Sequence, residues 1–203
     1  MTDHTPKEDD KLYSILNAAQ KKFAQFGLSK TTMNDIALEL GMGKASLYYY
    51  FTCKEQLFEA VVAKEKEEFI ENIKKSIRSA ESGIALLEVY VKKRQVHFEK
   101  CLNLSRLKHD SLASSPVVCK LLGDFYKKEA EVVQTILEIG VANGEFIAHN
   151  TAEKADFLIL VMQGLRLATI KRKNDTILSK QDHIVLTKNL NKVVDMFIRS
   201  IQK

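Results

Sequence analysis

Apolar residues recur at intervals of three and four along almost the whole chain, which is the spacing of one face of an α-helix. The first such stripe stops at Gly27, a residue type that commonly follows the last helical turn, and comprises Leu12, Ile15, Leu16, Ala19, Phe23 and Phe26. No strand-like alternation of useful length accompanies the stripes, and no internal repeat is visible. The pattern therefore predicts an all-α fold with about nine helices.

Polar residues that cap helix ends predict where most of these helices begin and stop. Thr32 with Asp35 and Thr52 with Glu55 have the spacing of a capping box, so they are expected to open a short helix and a long one. The remaining start and stop signals are Ser115-Pro116, Asn143-Gly144, Asn150 with Glu153, a charged turn from Lys171 to Asp175, and Ser179 with Asp182.

Two short helices are predicted inside the stretch TTMNDIALELGMGKASLYYYFTCK. One covers Met33 to Leu40, the other covers Lys44 to Tyr50, and the glycine-containing turn Gly41-Met42-Gly43 joins them. This arrangement is typical of a helix-turn-helix, whose second helix enters the major groove of DNA. The spacing alone is a weak signal, because two helices joined at a corner are common.

The second short helix carries residue types that suit contact with DNA. Lys44 and Ser46 place polar groups at its start, and the small Ala45 lets the backbone approach base edges. Three successive phenols can reach phosphate oxygens or pack on sugars and bases, and they belong to Tyr48, Tyr49 and Tyr50. Further candidates for phosphate contact are Thr31, Thr32 and Lys54.

Two of these candidates have an alternative role. Thr32 could serve only as a helix cap, and Tyr48 could be largely packed inside.

The local charge favours DNA. Six lysines against two carboxylates between Lys11 and Lys54 give this segment a charge of +4, out of the formal +5 of the whole chain.

A specific motif unites these residues. Its two blocks are Thr31-Thr32-Met33-Asn34-Asp35-Ile36-Ala37 and Leu47-Tyr48-Tyr49-Tyr50-Phe51-Thr52-Cys53-Lys54-Glu55-Gln56-Leu57, and Ala19, Phe23 and Gly27 fit it in the preceding helix. In these residues the sequence resembles the TetR (tetracycline-repressor-like) family of bacterial transcription regulators. Gly43, where Ser is usual, and Ala45, where Gly is frequent, depart from the pattern without affecting the predicted fold.

The resemblance implies a helix-turn-helix DNA-binding domain at residues 1–53 and a larger helical ligand-binding and dimerisation domain at residues 54–203. By motif position it implies that DNA is contacted by Thr31, Thr32, Lys44, Ala45, Ser46, Tyr48, Tyr49, Tyr50 and Lys54.

The composition excludes several other classes of protein. The 203 residues are 45% hydrophobic and 28% charged, which is ordinary for a globular chain. The longest apolar run, Phe157 to Met162, is too short to span a bilayer, and Met1 to Lys11 lacks the apolar core of a secretory signal. We therefore expect a cytoplasmic protein without membrane contact.

The sequence shows no catalytic or metal-binding signature. The three cysteines are widely spaced, the five histidines have no pairing at helical spacing, and no nucleophile or phosphate-loop motif is present. We expect no enzyme activity, no cofactor and no metal site. Cys53 could sense oxidants or be an inert thiol, and nothing in the sequence indicates a lowered pKa.

The larger predicted domain offers candidates for a pocket that binds a small-molecule effector. The candidates combine aromatic and polar side chains on helices with apolar faces, although such residues can also be plain core. They are Phe69, Tyr90, His97, Phe98, Phe125, Gln163 and Arg166. Arg166 could meet an anionic ligand or pair with a carboxylate on a neighbouring helix.

The last two predicted helices are apolar enough to need a partner surface. The resemblance implies a two-fold four-helix interface with a second copy, and the alternative is burial inside one chain. The candidate interface residues are Leu158, Val161, Met162, Leu165, Ala168, Leu190, Val194, Phe197 and Ile201.

Together these features predict a ligand-responsive transcription regulator. It would bind a palindromic DNA operator as a homodimer, act as a repressor and be released by a small molecule. The first alternative is a helical protein-protein interaction module whose tyrosines bind another protein. The second alternative, a small all-α enzyme, lacks any catalytic motif.

Overall fold

The computed structural model describes residues 6–77, 82–100, 116–148, 150–173 and 178–203. Within these ranges the chain forms eight helices and no strand, which confirms the predicted all-α fold and is close to the predicted helix number. The helices are α1 (Pro6–Phe26), α2 (Met33–Glu39), α3 (Lys44–Tyr50), α4 (Lys54–Ile77), α5 (Gly83–Lys100), α6 (Pro116–Ala142), α7 (Thr151–Lys173) and α8 (Lys180–Ile201). None of the described helices is both long enough and apolar enough to cross a membrane.

The described residues divide into two compact units. Those of Met1–Lys66 and Cys101–Val118 form one, and those of Glu67–Lys100 and Cys119–Lys203 form the other. The boundary therefore falls inside α4, downstream of residue 53, because the first turns of α4 pack with the N-terminal helices. A functional division at residue 53 remains a prediction.

The first unit is held together by a small apolar core. Phe23 of α1 and Phe58 of α4 meet edge to face with their ring centroids 5.1 Å apart, and both side chains are buried. Ile15, Ile36 and Leu47 are fully buried in the same unit. Phe26 is 47% exposed, although the first apolar stripe included it, because it lies in the last turn of α1 and rotates away from this core.

Two of the predicted capping boxes are confirmed. At the start of α2, Asp35 N–H donates to Thr32 Oγ1 while Thr32 N–H donates to Asp35 Oδ2. The same reciprocal pair joins Ser179 and Asp182 before α8.

A third predicted capping box is wrong in its partner. Thr52 N–H and Oγ1 donate to Oε1 of Gln56, at 3.2 and 2.8 Å, rather than interacting with Glu55. The reason is that α4 begins at Lys54, two residues after Thr52, so the side chain one position further along is within reach.

Helices α6 and α7 follow the predicted signals with one exception. Helix α6 begins at Pro116 and ends before Asn143-Gly144, where Gly144 adopts a φ of 74°. Glu153 N–H donates to Asn150 Oδ1 at the start of α7. Helix α7 continues to Lys173, so the charged segment from Lys171 is helical rather than a turn at its start, and residues 174–177 lie outside the described ranges.

The segment after α6 ties three parts of the second unit together. Glu145 Oε2 accepts hydrogen bonds from the backbone N–H groups of Gly83 and Ile84, at 2.6 and 3.3 Å, and so caps the start of α5. Ile147 N–H donates to Ile201 O, and Lys203 N–H donates to Glu145 O. A Cβ on Gly83 would lie 2.6 Å from the Cα of Gly140, so this close crossing requires glycine.

Candidate functional site

Helix α3 presents most of its side chains to solvent. Leu47 is fully buried and anchors the helix, whereas Tyr49 is 79% exposed. The other exposed predicted DNA contacts on this helix are Lys44, Ala45, Ser46 and Tyr48, and Tyr50 is half-buried. The ring of Tyr50 meets the ring of Tyr49 edge to face at 5.4 Å, and the Lys44 ammonium lies 5.7 Å from the centre of the Tyr48 ring. These exposed groups match the donors and rings that nucleic-acid contact requires.

The turn before α3 sets the start of the helix through backbone hydrogen bonds. Gly41 has a φ of 61°, which favours glycine, and Met42 N–H closes the end of α2 on Ala37 O. Gly43 is the N-cap of α3 and makes no side-chain cap bond, so Ser46 and Leu47 donate to its carbonyl alone. The start of α3 is therefore built from backbone, with no cap side chain in front of it.

The structure separates the two neighbouring threonines. Thr31 is 1% exposed, and its Oγ1 donates to Gly27 O at 2.8 Å, with Lys22 O at 3.3 Å. We correct its expected role, because a hydroxyl buried on the loop between α1 and α2 does not face a DNA backbone. Thr32 is exposed, and its two hydrogen bonds hold the pKa of the Asp35 carboxyl below its ordinary value. Lys54 is half-buried at the first position of α4.

Aromatic side chains from three helices meet in the second unit. The Phe69 ring of α4 lies 4.5 Å from His97 and 6.5 Å from Phe98 of α5, and 5.8 Å from Phe125 of α6. Phe98 and Phe125 are in turn 6.4 Å apart, edge to face. We call Phe69, His97, Phe98 and Phe125 the aromatic cluster, and all four were predicted as pocket residues.

Two arginines adjoin the aromatic cluster. The guanidinium carbons of Arg94 and Arg166 lie 4.7 and 4.4 Å from the centre of the Phe98 ring. Arg94 also donates through Nε to Glu129 Oε1 at 2.7 Å, and the same oxygen accepts from the Tyr90 hydroxyl at 2.7 Å. Arg94, Glu129 and Tyr90 are buried, and Glu129 neutralises the charge of Arg94 within the unit.

Burial and these charges set the protonation of nearby groups. Burial, reinforced by the positive charges of Arg94 and Arg166, lowers the pKa of His97 from 6.5 to about 4, so its imidazole is neutral at pH 7. Burial together with the Glu129 charge raises the pKa of Tyr90 well above its ordinary value. Neutral aromatic surface and fixed positive charge therefore coexist in this region.

The predicted pocket residues are thus only partly brought together. Phe69, His97, Phe98, Phe125 and Arg166 are in contact, and Tyr90 joins them through Glu129 and Arg94. Gln163 is half-buried on α7, and no described contact links it to the cluster.

Arg94 and Glu129 were missed at the sequence level. Both occur within apolar stripes: Arg94 lies four residues after Tyr90 and four before Phe98, and Glu129 lies four after Phe125. A charged residue within an apolar stripe is the sequence signal that could have identified both as a buried ion pair.

The predicted interface face of α7 and α8 lies largely inside the chain. Burial within the chain, the alternative stated above, holds for Leu158, Met162, Leu190, Val194, Phe197 and Ile201, all of which are at most 8% exposed. Val161 and Leu165 are half-buried and Ala168 is exposed. These six residues are corrected to core positions because the inward face of each helix coincides with its most apolar stripe, whereas an interface role for Val161, Leu165 and Ala168 stays a prediction.

A different set of apolar side chains on α7 and α8 is left in solvent. It comprises Phe157, Leu160, Ile184, Val185 and Met196, whose exposure ranges from 47 to 71%. On α7, Phe157, Leu160, Gly164 and Ala168 follow helical spacing along one exposed face. We call these four residues the outer face of α7.

The described residues contain no group of histidine, cysteine, aspartate and glutamate side chains arranged to hold a metal ion. Cys53 is a free, half-buried thiol. The side chains of Cys101 and Cys119 lie outside the described ones.

Comparisons with known proteins identify relatives of both parts of the chain. A model of bacterial regulatory proteins of the tetR family matches residues 15–61, which run from α1 into α4. The crystal structure of a transcriptional regulator from Cytophaga hutchinsonii ATCC 33406 has a TM-score of 0.89 and 45% sequence identity, and the match covers 96% of this chain and 100% of that one.

Other relatives are similar over less of the sequence or in fold alone. The uncharacterized HTH-type transcriptional regulator YhgD of Bacillus subtilis (strain 168) is 42% identical over 52 residues, 26% of this chain and 27% of YhgD. The chain therefore matches only about a quarter of the length of this curated relative. A proposed regulator from Saccharomonospora viridis, determined in complex with choline, has a TM-score of 0.72 at 17% identity, over 92% of this chain and 96% of that protein.

Proposed function

The chain belongs to the tetR family of bacterial regulatory proteins, and we propose that it is a repressor. It is a DNA-binding transcription regulator of the helix-turn-helix type, which would bind a palindromic operator as a homodimer and be released by a small molecule. The observation that carries the proposal is the exposure of Lys44, Ser46 and Tyr49 on a helix anchored by the buried Leu47.

Helix α3 would read the operator. In a helix-turn-helix the second helix lies in the major groove with its first residues against base edges. Here those residues are Lys44, Ala45 and Ser46, while Tyr48 and Tyr49 would meet sugar and phosphate. Thr32, exposed beside the start of α2, remains a candidate phosphate contact, and Lys54 would add a charge next to α3.

A homodimer would supply the second reading helix. Seven helical residues contact only a few bases, whereas two copies related by a two-fold axis read half-sites about 34–36 Å apart. We place the contact between copies on the outer face of α7 and on Val185 and Met196 of α8, because these apolar side chains are exposed in the single chain. Burying them against a second copy would remove that apolar surface from water.

The aromatic cluster, or the surface directly beside it, would receive the effector. Aromatic walls with a few fixed polar groups are typical of small-molecule sites, and the choline complex concerns a protein of this fold. Helix α4 contributes Phe58 to the core of the first unit and Phe69 to the cluster. A ligand that favours one position of α4 would thereby change DNA affinity, and a coupling of about 1–3 kcal/mol corresponds to roughly 5–150-fold.

This proposal makes the protein a regulator rather than an enzyme and places it in the cytoplasm, where the chromosome is accessible. The test is selection of bound fragments from the host genome, followed by measurement of affinity against salt concentration. We expect recovered fragments to share a two-fold symmetric sequence and log affinity to fall steeply with log salt. Recovery of fragments with no shared sequence, or an affinity that does not change with salt concentration, would overturn the proposal.

A further inference from the structure

A groove of about 560 Å³ lies in the second unit between α4 and α5. Its volume is within the range of small-molecule sites. It is lined by Phe69, Asn72 and Ile73 of α4 and by Val89, Lys92, Lys93, Val96 and His97 of α5. Two of these residues, Phe69 and His97, also belong to the aromatic cluster, so the groove opens directly beside it.

The groove combines a buried apolar back with apolar edges that remain in solvent. Phe69 and Ile73 are 3% and 1% exposed, whereas Val89 and Val96 are 40% and 41% exposed. The two valines are seven residues apart on α5 and therefore point to the same side of that helix. An apolar molecule in the groove would cover both of them and displace water from their surface.

The charge of the lining has one sign. Its ionisable groups are Lys92, Lys93 and His97, and the imidazole is neutral at pH 7 because its pKa is about 4. The Lys93 ammonium donates to Asn72 O and to Ser76 Oγ, which holds it across the groove from α5 to α4. The groove therefore carries two ammonium groups and no carboxylate among its lining residues.

A second groove on the other flank of α5 provides an internal contrast. Its volume is about 520 Å³, and its lining includes the carboxylates of Glu88, Glu99 and Asp195 together with Lys92. Lys92 lines both grooves, whereas Lys93 lies only on the α4 side and the three carboxylates lie only on the α8 side. An anion would be attracted to the α4 side and repelled from the α8 side.

We propose that the groove between α4 and α5 binds an amphipathic anion, whose apolar body lies on Phe69, Ile73, Val89 and Val96 and whose acidic group meets Lys92 and Lys93. The inference rests on the proposed function only in naming this molecule as the effector. Occupancy of the groove would contact α4 at Phe69, next to the ring contact between Phe69 and His97.

The first test compares two probes of equal chain length and opposite charge. Isothermal titration calorimetry of the full chain without DNA is carried out with decanoate and with decyltrimethylammonium, both below their micelle-forming concentrations. We expect decanoate to bind saturably, one molecule per chain, and at least about tenfold more tightly than the cation. Equal binding of the two probes would overturn the proposal.

The second test uses substitutions at exposed positions that leave the fold intact. Val89→Glu should weaken decanoate binding about fivefold to tenfold, because it places a carboxylate at the groove edge, whereas the matched Val89→Lys should bind within about twofold of the unmodified chain. Lys93→Gln should weaken binding about 2–5-fold, and Lys127→Gln, which removes the same charge from an exposed position on α6, should not. Unchanged binding by Val89→Glu would show that the anion binds elsewhere.

The two proposals fail in different ways. If decanoate binds in a Val89-dependent manner but leaves DNA affinity unchanged, the amphipathic-anion site stands and its role as effector site is rejected. If the chain binds its operator and decanoate does not bind, the groove inference is rejected and the DNA-binding proposal stands.

Discussion

Arg94 Nε lies 2.7 Å from Glu129 Oε1, in an ion pair whose two side chains are 1% and 0% exposed. The pair joins α5 to α6 beside the aromatic cluster, and the Tyr90 hydroxyl adds a second hydrogen bond to the same oxygen. Substitution of one partner of such a buried ion pair destabilises the protein, because the remaining charge stays buried without its partner.

Arg94→Met should therefore lower the stability of the second unit by about 3–5 kcal/mol. The measurement is thermal unfolding followed by circular dichroism, with Lys92→Met, an exposed neighbour on the same helix, as the control that should change little. The double variant Arg94→Met, Glu129→Leu should recover part of the loss, since neither charge is then buried. An unfolding midpoint of Arg94→Met equal to that of the control would contradict this account.

Tyr49→Ala should weaken operator binding roughly 2–10-fold, the value of one hydrogen bond, without lowering the unfolding temperature, because its side chain is 79% exposed. Lys44→Gln should reduce the slope of log affinity against log salt by about 0.9 if the ammonium neutralises one phosphate. Both are measured by fluorescence anisotropy on a labelled operator. Leu47→Ala serves as the contrast, since removal of this buried anchor should reduce stability as well as binding.

Thr31→Val should cost about 1 kcal/mol of stability, because the partly buried Gly27 carbonyl loses its hydrogen bond from Oγ1 while the shape of the side chain is kept. Thr31→Ser, which retains the hydroxyl, should lose less. Urea unfolding monitors stability, and operator affinity measured well below the unfolding transition should stay close to that of the unmodified chain. A large loss of affinity in the stable Thr31→Val protein would restore the direct DNA contact that the structure argues against.

Leu160→Asp should dissociate the proposed homodimer, since it places a charge in the middle of the outer face of α7, where Leu160 is 65% exposed. Sedimentation velocity should show a single folded chain. Thr135→Lys, which adds a charge on the exposed side of α6, is the control and should remain dimeric. Persistence of the dimer in Leu160→Asp would place the interface on another surface. A charge at Phe197 tests folding instead, because that side chain is 8% exposed.

His97 should make stability depend on pH between about 6.5 and 4. Its pKa in the folded chain, about 4, lies below that in the unfolded chain, so the unfolded state takes up a proton first as the pH falls. The contribution of His97 to the free energy of unfolding is fully present above pH 6.5. It falls by about 2–3 kcal/mol as the pH is lowered toward 4. His97→Phe keeps a ring against Phe69 and removes this dependence, so the difference between the two stability curves isolates the histidine. Parallel curves would contradict the burial of a neutral imidazole.

The sequence was sufficient at two helix starts where a local rule determines the structure. The capping pairs Thr32 with Asp35 and Ser179 with Asp182 act over three residues, so their spacing alone predicts two helix starts. The burial of Phe69, Phe98 and Phe125 also follows from the sequence, because large apolar side chains at helical spacing turn inward. Whether their roles are functional remains a prediction.

The sequence was insufficient where two faces of a helix are both apolar. Periodicity detected a wide stripe on α7 but could not tell that Met162 faces the core while Leu160 faces solvent, since that choice depends on how α7 packs with α8. Thr31 and Thr32 are adjacent and chemically alike, and only the loop geometry buries one and exposes the other. The pairing of Arg94 with Glu129 joins residues 35 positions apart, beyond any local pattern.

The clamp made by Glu145 has a consequence for synthesis. Its side chain holds the start of α5, 62 residues earlier, and its carbonyl holds the backbone of Lys203. On the ribosome α1, α2 and α3 can associate early, whereas the second unit cannot complete this clamp until the last helix has emerged. Ribosomes that stall before α8 would therefore release chains whose helices α1, α2 and α3 are folded and whose second unit is incomplete. We expect cellular proteases to remove such chains before they compete with the intact protein for the operator.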